Sequence, residues 1–393
     1  MRVLCSTTAG AGHFGPMVPV ARACLEAGHE VRVAAPVSFA GDVEAAGLAH
    51  EPFDDVPPEV LGPIFGRLGQ LSSEEANAVV MGEIFARHDA RAALPGLGTV
   101  MRRWRPDVVL RDAAEFGSLA TAVAAGVTHI EVSAGMASVM EWAHGHLLAP
   151  LAELDDLVGL PAGSLASSMV TAPRLTTVPA LLDTDTCDDT DPRAGGGTRP
   201  TWRYRAPSVH VPGGRLPPPW GDPSLPLVYV TFGSVAGALG EFASVYPAAL
   251  DAMADLPVRV LMTTGYAAAG AVAGRVPPNA HVEAWWPQDD IMPLAALVVG
   301  HGGFGTTMTA LAAGVPQVVV PLFAFDQWIN AERVTAFGAG VSLDSGPGVA
   351  GLGEAVLRVL GDSVAAGRAR TVAREIASLP DVSGVVSVIE QWG

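Results

Sequence analysis

The chain has 393 residues, 49% of them hydrophobic and only 16% charged, which is enough apolar material for two buried cores and excludes a disordered chain. Its 23 basic and 40 acidic residues give a formal charge of −17, which excludes a nucleic-acid binder built on a concentrated basic face. Every basic residue is arginine, so P-loop, Schiff-base and lysine general-base chemistries are excluded too.

The opening MRVLCSTTAG has too short an apolar run for a secretory signal. No later stretch approaches the roughly 18–20 apolar residues of a membrane span, so a cytoplasmic protein is expected. Three cysteines, Cys5, Cys24 and Cys187, form no CxxC and argue against a disulfide framework or a thiolate zinc site. Residues 2–7 read as a buried strand that runs into a glycine turn from Gly10 to Gly15. A helix over 16–27 follows, stopped by Gly28, and then a strand over 30–35. Strand 106–110, helix 114–125 and strand 128–132 repeat the scheme. Two stretches, 53–90 and 133–170, look like less regular insertions rich in Met, Phe and Trp. Asp, Gly and Pro collect over 183–223, which reads as a stiff exposed linker. The second half restarts with strands over 227–231, 258–263 and 297–300, then a glycine turn at His301–Gly305. A helix over 306–313 closes at Gly314, and a strand over 315–320 precedes a helix beginning near Trp328. This alternation predicts an α/β protein with two Rossmann-like, doubly wound parallel sheets. Ligands in such sheets sit beyond the carboxyl ends of the strands, so two halves facing each other across a cleft would hold two ligands.

Gly10-x-Gly12-x-x-Gly15 formally matches the dinucleotide fingerprint. The companion carboxylate is missing, however, because the second strand ends Val33-Ala34-Ala35-Pro36. His13 sits in this turn and is a candidate general base, since an ordinary imidazole titrates near pH 6.5. Such a base uses a carboxylate to fix its tautomer, and Asp112 and Glu115 both follow the 106–110 strand. Either reaches the same sheet edge, and both also fit as simple helix caps. In His301-Gly302-Gly303-Phe304-Gly305-Thr306-Thr307 the glycines admit close backbone approach, and the helix start offers N–H groups to an anion. Trp285 and Gln288, in Ala284-Trp-Trp-Pro-Gln288, pair a flat stacking face with an amide and suit a nucleotide base and ribose. Asp326 and Gln327 either cap the next helix or hold sugar hydroxyls. Asp183-Thr-Asp185 mimics a metal-binding DxD but opens an acidic run with Asp188, Asp189 and Asp191, which reads as a solvated loop. His144 and His146 lack a third metal ligand. No Gly-x-Ser-x-Gly elbow or His-Glu-x-x-His is present.

Taken together, GHFGPMVPVARACLEAGHEVRVA, RDAAEFGSLA, TFGS, WWPQ, HGGFGTT and PLFAFDQWINAERV resemble the GT-B glycosyltransferases of family 1, specifically the actinobacterial enzymes that glycosylate natural products. The resemblance covers essentially the whole chain. It implies an acceptor-binding domain over 1–205, a linker over 206–226, a nucleotide-sugar domain over 227–371, and a helical segment over 372–393 that crosses back to the first domain. It implies His13 as the base with Asp112 or Glu115 as its partner, Trp285 against the nucleobase and Gln288 at the ribose. Ser234, His301, Gly302, Gly303, Gly305, Thr306 and Thr307 would hold the diphosphate, and Asp326 and Gln327 the donor sugar. Phe14, Met81, Met136, Trp142 and Phe325 are the expected acceptor lining. The implied reaction is an inverting transfer of a deoxysugar from a dTDP-sugar, with a UDP-sugar second, to a hydrophobic aglycone. No metal or other cofactor is expected. The expected partner is the small-molecule aglycone, with no nucleic acid and no membrane; a homodimer or an accessory activator protein stays open. A nucleotide-sugar epimerase, a non-catalytic nucleotide-binding activator and a nicotinamide oxidoreductase are the rival readings.

Overall fold

Parallel strands covered by helices on both faces must be apolar on both sides, and the central strands show this directly. The computed structural model describes residues 1–183, 199–207, 215–234, 236–240, 242–265, 272, 276–344 and 346–393. The chain divides into two compact units, 1–207 with 379–393, and 208–378.

Unit 1 holds strands β1 (Arg2–Ser6), β2 (Glu30–Pro36), β3 (Ala49–Phe53), β4 (Val108–Asp112), β5 (Thr128–Val132), β6 (Arg174–Thr176) and β7 (Thr201–Arg203). They form one parallel sheet in the order β3-β2-β1-β4-β5-β6-β7. Val3 and Cys5 pack with Met17, Val20 and Cys24 of the helix Ala11–Glu26. Between them Leu4 faces the other way, onto Leu97, Val100 and Val109. The order reverses between β1 and β4, and loops leaving that point are where doubly wound sheets bind ligands. The closing helix, Gly384–Trp392, buries Val385 and Ile389 in the same core as the first helix.

Unit 2 holds β8 (Leu227–Thr231), β9 (Arg259–Thr263), β10 (Ala280–Glu283), β11 (Leu297–Gly300), β12 (Gln317–Val319) and β13 (Gly340–Ser342), in the order β10-β9-β8-β11-β12-β13. Here the reversal lies between β8 and β11. Val228 and Val230 face one core, and Leu227 and Tyr229 the other.

Several elements differ from the sequence reading. The first helix begins at Ala11, so the expected glycine turn is already helical and His13 stands in its first turn. Pro16 had been read as a helix starter, the position proline prefers. Instead Pro16 and Pro19 both lie inside the helix, at a general cost of roughly 3 kcal/mol each for the lost bond and clash. Burial of Met17 and Val20, worth roughly 1.5–3 kcal/mol per side chain, offsets much of that. The insertions are regular: helices Pro58–Leu68 and Ser73–Val79, a ten-residue π-helix Val80–Asp89, helix Ala90–Arg103, and later Ala137–Val158 and Ser164–Thr171. Asp112 is the last residue of β4 rather than a loop residue.

Asp183 is not solvated. Its carboxylate is buried, accepts from the Ala137 N–H at 3.0 Å, and pairs with Arg174 at 2.6 Å and Arg203 at 3.0 Å. It therefore ties β6 and β7 to the start of the long helix. Glu131 does the same inside the sheet with Arg111 and Arg199, at 3.2 and 2.8 Å. Asp185, Cys187, Asp188, Asp189 and Asp191 lie outside the described residues. Cys5 and Cys24 are buried free thiols. No helix among the described residues is long and apolar enough to cross a membrane.

Candidate active site

In unit 1, β1 delivers Thr8 and the His13 helix to one side of the switch point, and β4 delivers Asp112 to the other. His13 Nδ1 lies 2.9 Å from Asp112 Oδ2. Asp112 is completely buried, whereas the His13 side chain keeps 32% of its surface. The Thr8 hydroxyl donates to the same Oδ2 at 3.2 Å, so the carboxylate is held from two directions. The Phe85 ring meets the imidazole edge-on, with centroids 5.5 Å apart.

Glu115 is in a different position. Its carboxylate caps the helix Phe116–Ala125 through the N–H groups of Gly117 and Ser118, at 2.8 and 2.9 Å, and accepts the Ser6 hydroxyl at 2.8 Å. Of the two carboxylates the sequence left open, Asp112 is the one on the imidazole and Glu115 is the cap. Burial raises the Glu115 carboxyl above its ordinary value, and the bonds from Ser118 and Ser6 partly oppose this.

Next to this pair is a cavity of about 210 Å³, bounded by the loop after β1, the end of β3, the π-helix and the start of helix Phe116–Ala125. The expected acceptor residues do not line it. Phe14 is 5% exposed and packs edge-on to Phe39 in the core. Met136 is buried at the start of the helix Ala137–Val158. Met81 and Trp142 are half-buried and pack around the cluster of Phe116, Leu147 and Leu151, with the Trp142 ring 4.9 Å from that of His146. Phe325 belongs to unit 2. The rings on the cavity are Phe53, Phe65, Phe85 and Phe116, joined by the carboxylate of Asp89. All but Phe116 come from the aromatic-rich stretch 53–90, but its composition does not reveal which side chains a π-helix turns inward.

In unit 2, β11 ends at Gly300, His301 follows it, and the helix Phe304–Ala312 starts three residues after His301. Its N-cap is Gly303, which supplies no side chain, so the first N–H groups have no capping partner. Together with the macrodipole they form an anion site. His301 is buried, and burial pushes its imidazole down to about 4, opposed by a hydrogen bond to the Thr231 backbone. It is therefore a neutral donor near pH 7. Neither following glycine has room for a side chain: a Cβ on Gly303 would lie 2.5 Å from His301 Nε2, and one on Gly302 would lie 2.7 Å from the Gln327 backbone carbonyl. Asn330, which the sequence reading missed, fixes the turn by donating to the Gly302 carbonyl at 2.7 Å. Thr307 is buried, and its hydroxyl has no hydrogen-bond partner among the described residues. Gln288 donates to the Thr306 hydroxyl at 2.9 Å. Trp285 stands 71% exposed before the helix Gln288–Ile291, and Ser234 is exposed after β8. Asp326 is half-buried in the first turn of the helix Phe325–Phe337. Gln327 is only 2% exposed, and its side-chain Oε1 accepts the Leu322 and Phe323 N–H groups at 2.8 and 3.2 Å. It shapes the loop.

Comparison with known proteins follows the same lines. Residues 248–392 match the family described as "Erythromycin biosynthesis protein CIII-like, C-terminal domain". The L-demethylnoviosyl transferase of Streptomyces niveus is 33% identical over 359 residues, covering 87% of this chain and 85% of that protein. The aklavinone 7-beta-L-rhodosaminyltransferase of Streptomyces galilaeus is 29% identical over 441 residues, covering 100% and 95%. Among solved structures, the calicheamicin glycosyltransferase CalG4 superposes with a TM-score of 0.79 at 23% identity, covering 100% of this chain and 98% of that one. The glycosyltransferase SnogD of Streptomyces nogalater does so at 0.73 and 27%, covering 100% and 99%.

Proposed function

This chain belongs to the GT-B glycosyltransferases of antibiotic and other natural-product biosynthesis, and on that premise we propose that it transfers a deoxysugar from a nucleoside diphosphate, dTDP first and UDP second, to the hydroxyl of a small hydrophobic aglycone with inversion at the anomeric carbon. The observation that carries the mechanism is the contact between His13 Nδ1 and the buried Asp112. With Nδ1–H donated to Asp112, the proton of the acceptor hydroxyl goes to Nε2. The acceptor oxygen attacks the anomeric carbon, the bond from that carbon to the diphosphate oxygen breaks, and the electron pair leaves with the nucleoside diphosphate. Asp112 stabilises the imidazolium formed in this step.

The leaving diphosphate is received by the uncapped N–H groups of helix Phe304–Ala312, by the Thr306 and Thr307 hydroxyls and by neutral His301. This set needs no metal to take the charge. Trp285 is exposed and is assigned to the base, and Gln288, which donates to the Thr306 hydroxyl, is assigned to the ribose side. Asp326 is the residue we assign to the donor sugar, and the Gln327 side-chain oxygen accepts from the Leu322 backbone. The relatives' printed names, L-demethylnoviosyl and L-rhodosaminyl transferases, support a deoxysugar.

The test is a tryptophan-fluorescence titration with dTDP, UDP and NAD⁺, each with and without a chelator, followed by transfer assays with the nucleotide that binds. Quenching by dTDP that survives chelation and disappears in Trp285→Ala is the expected result. Binding of NAD⁺ alone would return Gly10-x-Gly12-x-x-Gly15 to a dinucleotide role and overturn the proposal.

A further inference from the structure

The cavity beside His13 has an unusual wall. Asp54, Asp55, Asp89 and Glu115 all line it, and among the described residues no arginine or histidine does. Two of these carboxylates already have donors. Asp55 accepts from the Ser38 backbone and hydroxyl. Glu115 is committed to Ser6, Gly117 and Ser118. Asp89, by contrast, has no hydrogen bond or ion pair among the described residues, although it is half-buried. We propose that this cavity receives a protonated amine of the acceptor, carried on an aromatic or alicyclic body, and that Asp89 is the carboxylate that pairs with it. The proposal rests on the reading of the chain as a transferase and adds the chemical class of its acceptor.

Three observations support it. First, the charged groups that act on Asp89 among the described residues are Glu115 and Asp55, which repel its charge, and His13, which attracts it. Together with burial this pushes the Asp89 carboxyl up to about 7. A carboxylate in such a place is outweighed by its like-charged neighbours, and a bound ammonium would supply both the opposite charge and the donors. Second, Phe85 and Phe116 line the same cavity, so a cation there lies among aromatic side chains. The π-helix places Phe85 and Asp89 four residues apart in one turn, and helices of this kind occur frequently at functional sites. Third, the volume of about 210 Å³ is below the roughly 300–1,000 Å³ of pockets that enclose a whole drug-sized ligand. The cavity therefore takes one end of the acceptor and leaves the rest outside it. An anionic group at that end would meet four carboxylates and be rejected.

The probes are naphthalen-2-ylmethylamine, naphthalen-2-ylmethanol and 2-naphthoate, titrated calorimetrically into the full chain at pH 8 without donor. The amine is expected to bind roughly tenfold or more tightly than the alcohol, the difference between a charge-assisted and a neutral hydrogen bond, with the naphthoate weakest. In Asp89→Asn the amine and alcohol should converge to within about twofold, while dTDP binding stays unchanged. The amine preference of the wild type should also shrink from pH 8 to pH 6 as Asp89 takes up its proton. Three outcomes overturn the proposal: an alcohol that binds as well as the amine, an amine preference that survives Asp89→Asn, or no binding by any probe. Because no sugar transfer is read, the two readings fail separately. A chain that prefers the amine but transfers no sugar refutes the transferase mechanism alone, and one that transfers sugar without charge preference refutes only the amine site.

Discussion

Replacing Asp112 by Asn keeps the side chain's shape and removes its charge. Asp112 is fully buried, and its Oδ2 lies 2.9 Å from His13 Nδ1. On the proposed mechanism the imidazole gains a proton in the transition state and becomes the counter-ion of that carboxylate. Two unit charges about 4 Å apart at an effective dielectric of about 20 interact by about 4 kcal/mol. His13 keeps a third of its side-chain surface, so solvent screens part of this and about 2–4 kcal/mol remains. At about 1.4 kcal/mol per decade, Asp112→Asn should lower kcat roughly 30- to 1,000-fold. The assay is initial-rate sugar transfer at saturating donor and acceptor, with dTDP affinity measured in parallel. Affinity should not change, because the residues proposed for the diphosphate belong to unit 2. Thr8→Val is the control: it removes the second, longer bond to Oδ2 and leaves the charge, so its loss should be well below that of Asp112→Asn. A kcat for Asp112→Asn within about threefold of wild type would mean that the carboxylate does not stabilise a developing imidazolium.

His13→Ala should lose at least roughly 100-fold in turnover with little change in nucleotide affinity, and near-normal transfer would remove His13 as the base. Gly303→Ala forces a methyl to within 2.5 Å of the His301 ring, so dTDP quenching should weaken while thermal unfolding of the chain barely shifts; intact dTDP binding would contradict the close-approach argument. Asp183→Asn strips the shared carboxylate from buried Arg174 and Arg203 and should lower unfolding stability by about 3 kcal/mol in urea titration, whereas a solvated Asp183 would leave it unchanged. Asp89 is held at about 7 in the folded chain, above its ordinary 3.8, so the folded state carries a penalty that grows as pH rises from about 4 to 7 and then stays level. Asp89→Asn should therefore raise the urea midpoint more at pH 8 than at pH 4.5; an equal gain at both pH values would show that charge is not the cause.

Local patterning carried much of this protein into view. The apolar runs at β1, β2, β5, β8 and β11 are buried on both faces, and such runs specify central parallel strands wherever they occur. His301-Gly-Gly-Phe-Gly-Thr-Thr307 is equally legible, because two glycines beside a histidine ring and a helix start without a side-chain cap are properties of contiguous residues. Trp285 also stands exposed, as a loop tryptophan meant for stacking would.

What depends on contacts between distant segments was settled only by the tertiary structure. Asp112 and Glu115 are three residues apart and chemically alike. Pairing of β1 with β4 sets one against His13, and the helix Phe116–Ala125 claims the other as its cap. Asp183 looks solvated in a run of acids, yet two arginines from β6 and β7 bury it. Pro16 reads as a helix start, and the core beneath Met17 and Val20 carries the helix through it. Asp89 had no signal at all, since its place beside Phe85 depends on a π-helix whose geometry packing imposes. Periodicity and turn chemistry act over a few residues and are written in the sequence. The partner of a buried charge lies about 100 residues away in the case of His13 and Asp112, and only the folded chain chooses it.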